Sequence, residues 1–239
     1  MIQKSNGKFN FKYIGEGIAG AALIAAALLT PFLRPRRTKW GATNAEVQRS
    51  LLGDDLVPQP KWGFTHAITV RASAADVWPW LVQIGQGRGG FYSYDWLENL
   101  VGCKIHSADR IIPELQQMEV GDSIRLHPKT LGLPVAIIEP GRALVLQIRI
   151  DTQTGSTFEL TDTIPDKFIN LSWGFFLDEP NEGITRLIIR SLYDYNTILG
   201  NKLVYGPLIV EPVSFVMSRK MLLGIKQRAE ALTSTKQGG

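Results

Sequence analysis

The chain has 239 residues, 44% of them hydrophobic and 20% charged, with one cysteine, three histidines and a formal charge of +4. This composition excludes a disordered or fibrous chain, a disulfide framework and a thiolate-rich zinc site. Residues 1–40 hold seven basic side chains against Glu16 alone, so the rest of the chain, with 19 basic and 21 acidic residues, has no charge excess with which to hold a phosphate backbone; no nucleic-acid partner is expected.

A basic tail over 1–12 precedes an uncharged run, GIAGAALIAAALLTPFL from Gly17 to Leu33. Counted from Tyr13, residues 13–33 are just long enough to cross a hydrocarbon layer of ~30 Å, and Arg34, Arg36, Arg37 and Lys39 follow as a stop-transfer flank with Trp40 as an interfacial aromatic. The expectation is a single transmembrane anchor in the plasma (inner) membrane, with the soluble part on the cytoplasmic side. A cleaved signal peptide and a buried or membrane-surface helix are the competing readings. Residues 34–61 read as a basic and polar linker, of which 41–61, with turn residues from Gly53 to Pro60, is either a linker or a surface-hugging lead-in.

Phe64, His66, Ile68 and Val70 alternate with Thr65, Ala67 and Thr69, which predicts a strand. Ser73 then reads as an N-cap for a helix carrying Val77, Trp80, Leu81 and Ile84, with Pro79 near its start. A glycine-rich break over 85–90 leads to a second short helix with Tyr94, Leu97 and Val101 on one side. Six further strands are predicted at Ser123–His127, Pro134–Glu139, Ala143–Ile150, Ser156–Thr161, Phe168–Leu177 and Thr185–Tyr193, separated by short Pro/Gly turns of the kind hairpins use. A long amphipathic helix follows Pro207 and Pro212, and residues 233–239 read as a disordered tail.

Strands run together and are followed by a helix, so the fold class is α+β with an antiparallel sheet of about six or seven strands. A bent sheet gripping one C-terminal helix leaves a cavity between them, because a helix touches only a stripe of a curved surface.

Residues 64–84, with Asp76 and Val77-Trp78 after the first strand, resemble the START-like, helix-grip superfamily often called SRPBCC (polyketide cyclase, lipid-transfer and ligand-binding proteins). WGAT (Trp40–Thr43), GDDLVP, GQGRGGFYSYDWLEN (Gly85–Asn99), HSADRIIPE (His106–Glu114), VGDSIRL and FVMSRKMLLGIKQRAE (Phe215–Glu230) look like an uncharacterised bacterial membrane-associated branch of it. The resemblance spans roughly 40–232. It implies a helix-grip domain over 62–232 with a hydrophobic pocket, and no particular reaction.

Gly85, Gly87 and Gly90 spell a dinucleotide-type pattern but follow a helix and lead into aromatics, so the Rossmann reading is set aside. Arg88 stands among these glycines either as a ligand-binding cation at a pocket mouth or as a partner of Asp95 or Glu98 that fixes the loop. Candidate cavity residues are His66, Trp80, Arg88, Phe91, Tyr92, Tyr94, Trp96, Trp173, Tyr193, Met217 and Met221. No catalytic residue, metal site or cofactor is assigned. The expected function is a membrane-anchored module that holds or transfers a hydrophobic or lipid-like small molecule. The alternative is a cyclase- or dehydratase-type enzyme using His66 or His127 as base with Tyr92, Asp95 or Glu159 nearby. The sequence leaves the oligomeric state open.

Overall fold

The computed structural model describes residues 11–159, 163–196 and 199–237, with backbone only at 11–14 and 235–237. In chain order the elements are α1 (Phe11–Leu29), α2 (Arg34–Arg37), α3 (Asn44–Gln48), β1 (Trp62–Val70), α4 (Ala74–Val82), α5 (Asp95–Leu100), β2 (Ser123–Ile124), β3 (Leu133–Glu139), β4 (Ala143–Asp151), β5 (Phe168–Asn181), β6 (Ile184–Tyr195), α6 (Leu199–Tyr205) and α7 (Val210–Gln237). The strands form one antiparallel sheet in the order β1-β6-β5-β4-β3-β2, with α7 packed along β1. A six-stranded antiparallel sheet with a long C-terminal helix fits the helix-grip arrangement.

Alternation sorts the sheet into two faces. Phe64, Leu144, Leu146, Phe175, Leu187 and Ile189 join the main core with Leu222 and Ile225 of α7. Ala67, Ala143, Val145, Phe176 and Ile188 point the other way into a smaller core, closed by Ala42, Leu51 and Leu56. The 34–61 segment is therefore a cover for the sheet's second face and not a free linker. Its polarity has a use. The Thr43 hydroxyl accepts the Glu46 amide at 3.1 Å while the Glu46 carboxylate accepts the Thr43 amide at 2.6 Å, a capping box that starts α3. Arg186 donates to both Glu46 oxygens at 2.6 and 2.9 Å and, with the Thr43 bonds, holds this carboxylate down at about 2 despite its partial burial. The same segment seals the sheet edge, since the Thr65 and Ala67 amides of β1 donate to the Thr38 and Trp40 carbonyls.

Three expectations change. The helix expected over 13–33, with Pro31 near its far end, stops at Leu29. Thr30 precedes Pro31 and is pushed out of the helical region (φ −123°, ψ 59°), and a turn at Pro31–Leu33 leads into α2. No single helix among the described residues is long and apolar enough to cross a membrane; only the pair Gly15–Leu29 and Pro31–Arg37, bent by 92°, reaches that length and composition together. Over Ser156–Thr161 the described residues make an isolated bridge, Ile150 to Thr157, and no strand, while Leu160 and Thr161 lie outside the described residues. The expected tail is helical as far as Gln237, with the Thr233 and Ser234 hydroxyls donating back to the Ala229 and Glu230 carbonyls; Gly238 and Gly239 lie outside the described residues.

Candidate functional site

The segment between α4 and β2 wraps over α7. Gly85 and Gly90 exchange both backbone hydrogen bonds, and at Gly85, Gly87 and Gly90 φ is 127°, 75° and 74°, a left-handed region that glycine enters freely. The glycine pattern thus builds a tight closed loop. Beyond it Tyr92, itself at φ 56°, sits against Gly224 of α7, where a Cβ would strike the Tyr92 carbonyl. The Tyr92 hydroxyl donates to the Trp80 carbonyl at 3.1 Å, and Arg228 of α7 lies 4.8 Å over its ring while donating to the Ala108 carbonyl.

Onto this wrap lies α1. Gly17 and Gly20 bring its backbone against Trp96 and Tyr94, with Ala27 buried and Ile24 half-buried on the same stripe. Glu16 pairs with Lys220 at 3.1 Å at one end. At the other, Arg37 donates to both Glu211 oxygens at 2.9 and 2.8 Å, a pair nearly out of water, and to the Thr30 carbonyl at 2.8 Å. The outward face of α1 carries exposed Ile18, Leu23, Leu28 and Leu29.

Two cavities result. One, of about 510 Å³, lies between the sheet, α7, α5 and Ile24 of α1. Phe64, Phe91, Leu171, Trp173, Met217 and Met221 supply much of its wall, and no lysine or arginine among the described residues borders it. The other, of about 560 Å³, lies between α1, α5 and α7 and is bordered by Glu16, Asp95, Asp109, Lys220 and Arg228 as well as by aromatics.

The structure divides the sequence-predicted residues between these spaces. Phe91, Trp173, Tyr193, Met217 and Met221 border the apolar cavity. Trp80, Tyr92, Tyr94 and Trp96 border the polar one. Arg88 and His66 border neither. Arg88 is turned inward and donates to the Val82 and Leu115 carbonyls at 3.0 and 3.2 Å, tying the end of α4 to the turn at Pro113–Leu115. Burial lowers the pKa of this guanidinium and nearby Asp122 raises it. Its carboxylate partner is thus neither Asp95, which accepts from the Ser107 amide and hydroxyl at 2.6 and 2.5 Å, nor Glu98. His66 is only 1% exposed and bonds Ser218 Oγ at 2.6 Å and the Arg37 carbonyl at 2.9 Å. A carbonyl only accepts, so Nε2 carries the proton and Nδ1 accepts from Ser218.

The acid–base set sketched from the sequence is not assembled. None of the three histidines borders either cavity. The ionisable side chains bordering the apolar cavity are Glu98, Cys103 and Tyr193. Burial pushes the Cys103 thiol up, nearby Glu98 adds to it, and burial likewise raises the Tyr193 phenol. Glu98 was not among the predicted site residues. It stands on α5, 8% exposed, and its Oε2 is buried without a hydrogen-bond partner among the described residues. Burial first, and then the charge of Asp95, raise this carboxyl from 4.5 to about 8. The signal was present in the pattern: Glu98 stands four residues after Tyr94 and three before Val101, on the helix face read as apolar.

No family model and no curated protein sequence matches the chain. Among solved structures it is similar to a conserved protein of Geobacillus kaustophilus (12% identity over 70% of this chain and 95% of that one, TM-score 0.37). It is also similar to the ZhuI aromatase/cyclase of Streptomyces sp. R1128 (13% identity, 71% of this chain and 93% of that one, TM-score 0.33). A third is the di-domain aromatase/cyclase BexL of the BE-7585A biosynthetic pathway (20% identity, 74% of this chain and 53% of that one, TM-score 0.27). With identities under 25% and TM-scores under 0.5, the assignment of fold rests on the element order and sheet topology given above.

Proposed function

We propose that the protein binds an apolar small molecule in the cavity between sheet and α7, and that it takes this molecule from a membrane surface. The observation that carries the first part is the cavity itself: about 510 Å³ with a largely aromatic and aliphatic wall and no cation among the described residues that line it. That size and lining suit a small organic ligand. Covering about 400 Å² of such a ligand at ~25 cal/mol per Å² supplies roughly 10 kcal/mol, which leaves an affinity of tens of micromolar once association costs of about 4 kcal/mol are subtracted. With full-length protein, the neutral fluorescent probe N-phenyl-1-naphthylamine is expected to bind in the micromolar range. Ser214 borders the cavity from α7, and Ser214→Trp is expected to fill it and weaken the probe at least tenfold at unchanged far-UV circular dichroism. Equal probe binding by both proteins would remove this reading.

The second part rests on the rim. Val101, Leu126 and Val213 border the cavity and are also exposed, at 69%, 38% and 36%. The segments that supply them expose Leu100, Leu131, Leu208 and Ile209 as well, and α1 adds Leu23 and Leu28 beside Ile24. Residues 17–45, 99–108, 123–133 and 199–210 contain no aspartate or glutamate, while they hold Arg34, Arg36, Lys39, Lys104, Arg125, Lys129 and Lys202. Apolar side chains among cations without acids match a bilayer surface of anionic lipid. Full-length protein is expected to float with phosphatidylglycerol vesicles and to bind phosphatidylcholine vesicles several-fold less. Leu23→Glu/Leu28→Glu is expected to abolish flotation while leaving probe binding in place. Equal binding to both lipids, or by the double variant, would overturn it.

A further inference from the structure

We infer that Glu98 is the recognition group of the apolar cavity, and that the ligand is an apolar molecule carrying one uncharged oxygen acceptor, such as a ketone or ester carbonyl, to which the Glu98 carboxyl donates. This deepens the cavity-binding reading and rests on it.

The backbone of Glu98 is fully engaged, its amide donating to the Tyr94 carbonyl and its carbonyl accepting from the Cys103 amide. Its side chain is the exception. Oε2 is out of water and unpartnered among the described residues, and the residue borders the cavity. Leaving a buried polar atom unpaired costs on the order of 1–3 kcal/mol, and since Oε2 itself is closed off, the carboxyl recovers that cost by rotating to meet a ligand atom in the cavity. The other carboxylate on α5, Asp95, is held by Ser107.

The charge state follows from what faces the group. On α5 itself there is Asp95, from the turn after α5 there is Cys103, and from β6 there is Tyr193. α1 contributes Ile24, the β2–β3 region contributes Leu126 and Leu133, and α7 contributes serines, methionines and Val213. Among the described residues that line the cavity no cation offsets an ionised Glu98, and Asp95 opposes it, so the proton stays on near neutral pH. A protonated carboxyl donates, as a hydroxyl does, and an uncharged oxygen accepts without the cost of desolvating an ion. A ligand ammonium would need the proton to leave, and a ligand carboxylate would lie without a cation among the described residues of the wall.

The test displaces N-phenyl-1-naphthylamine from full-length protein with nonane, 2-nonanone and nonylamine at pH 6.5 and 9.5, for wild type, Glu98→Gln and Glu98→Leu. At pH 6.5 wild type is expected to prefer 2-nonanone over nonane five- to tenfold, and at pH 9.5 the preference is expected to vanish. Glu98→Gln keeps a donor and is expected to retain the preference at both pH values. Glu98→Leu is expected to bind nonane as wild type does and to lose the preference. A preference that persists in Glu98→Leu, that ignores pH in wild type, or that is exceeded by nonylamine at pH 6.5 would overturn the inference while leaving an apolar cavity. Failure of all three compounds to displace the probe would instead remove the cavity reading beneath it.

Discussion

Arg190→Met is expected to cost about 3–5 kcal/mol of stability, seen in urea as a lower midpoint, because it leaves a carboxylate and several carbonyls without their donor. Arg190 stands on β6 with 6% exposure, facing the 34–61 cover. Nε donates to the Thr65 hydroxyl at 3.1 Å, Nη1 to the Arg49 carbonyl at 2.9 Å and to Asp54 at 2.6 Å, and Nη2 to the Glu46 and Val47 carbonyls at 2.7 and 3.0 Å. All five N–H groups are thereby engaged, and every acceptor except the Thr65 hydroxyl lies in the cover. Methionine matches the aliphatic part and supplies none of these donors. Arg190→Lys keeps the charge with fewer donors and a different shape, so it is expected to recover less than half of the loss. Hydrogen exchange should place the damage in residues 44–57 first, with β5 and β6 still protected. A methionine variant within 1 kcal/mol of wild type would show that the guanidinium is not what holds the cover down.

The second large effect is a dependence on pH. Burial lowers His66 from 6.5 to about 4, opposed by its bond to the Arg37 carbonyl. Its folded pKa lies below the unfolded one, so between about 4 and 6.5 the unfolded chain binds the extra proton and stability rises with pH. The contribution is fully present above 6.5 and is lost as pH falls toward 4, with a size of about 3 kcal/mol. Glu98 acts in the opposite sense. Its folded pKa of about 8 lies above 4.5, so its contribution is present below 4.5 and is lost as pH rises through 8. Between 4.5 and 6.5 the two cancel in part, and wild type conceals both. In a Glu98→Gln background the His66 contribution stands alone. The stability difference between Glu98→Gln and Glu98→Gln/His66→Asn is expected to widen by about 3 kcal/mol from pH 4 to 6.5. An imidazole that titrates near 6.5 by proton NMR in the folded protein would exclude this.

Much of the architecture was legible because burial writes a period into the chain. β1, α4, β3 to β6 and α7 were found from alternation or helical spacing with ends set by turn residues. What escaped had no period to read. The 34–61 segment was open between a linker and, over 41–61, a surface-hugging lead-in, since its covering role is carried by a capping box and by Glu46 and Asp54 facing arginines, and polar residues of that kind also describe a loop. α1 read as a membrane span because a stripe of Gly17, Gly20 and Ala27 against aromatics is as apolar as a lipid-facing one; only the Thr30–Pro31 step marked its early end. The placement of Arg88 was open, since a guanidinium among glycines suits a ligand or a ring of carbonyls equally well. Glu98 was read only as a candidate partner of Arg88, although its place on the apolar face of α5 argued for a role in the cavity.

The seating of α1 across α5 and α7 has a practical side. Trimming the polypeptide back to the sheet domain, a common step when an apolar leader hampers expression, would strip Ile24 from the chamber, uncover Tyr94 and Trp96 and orphan Lys220. Such a shortened protein would present a wider, wetter opening, and measurements made on it would describe a vessel with one side missing.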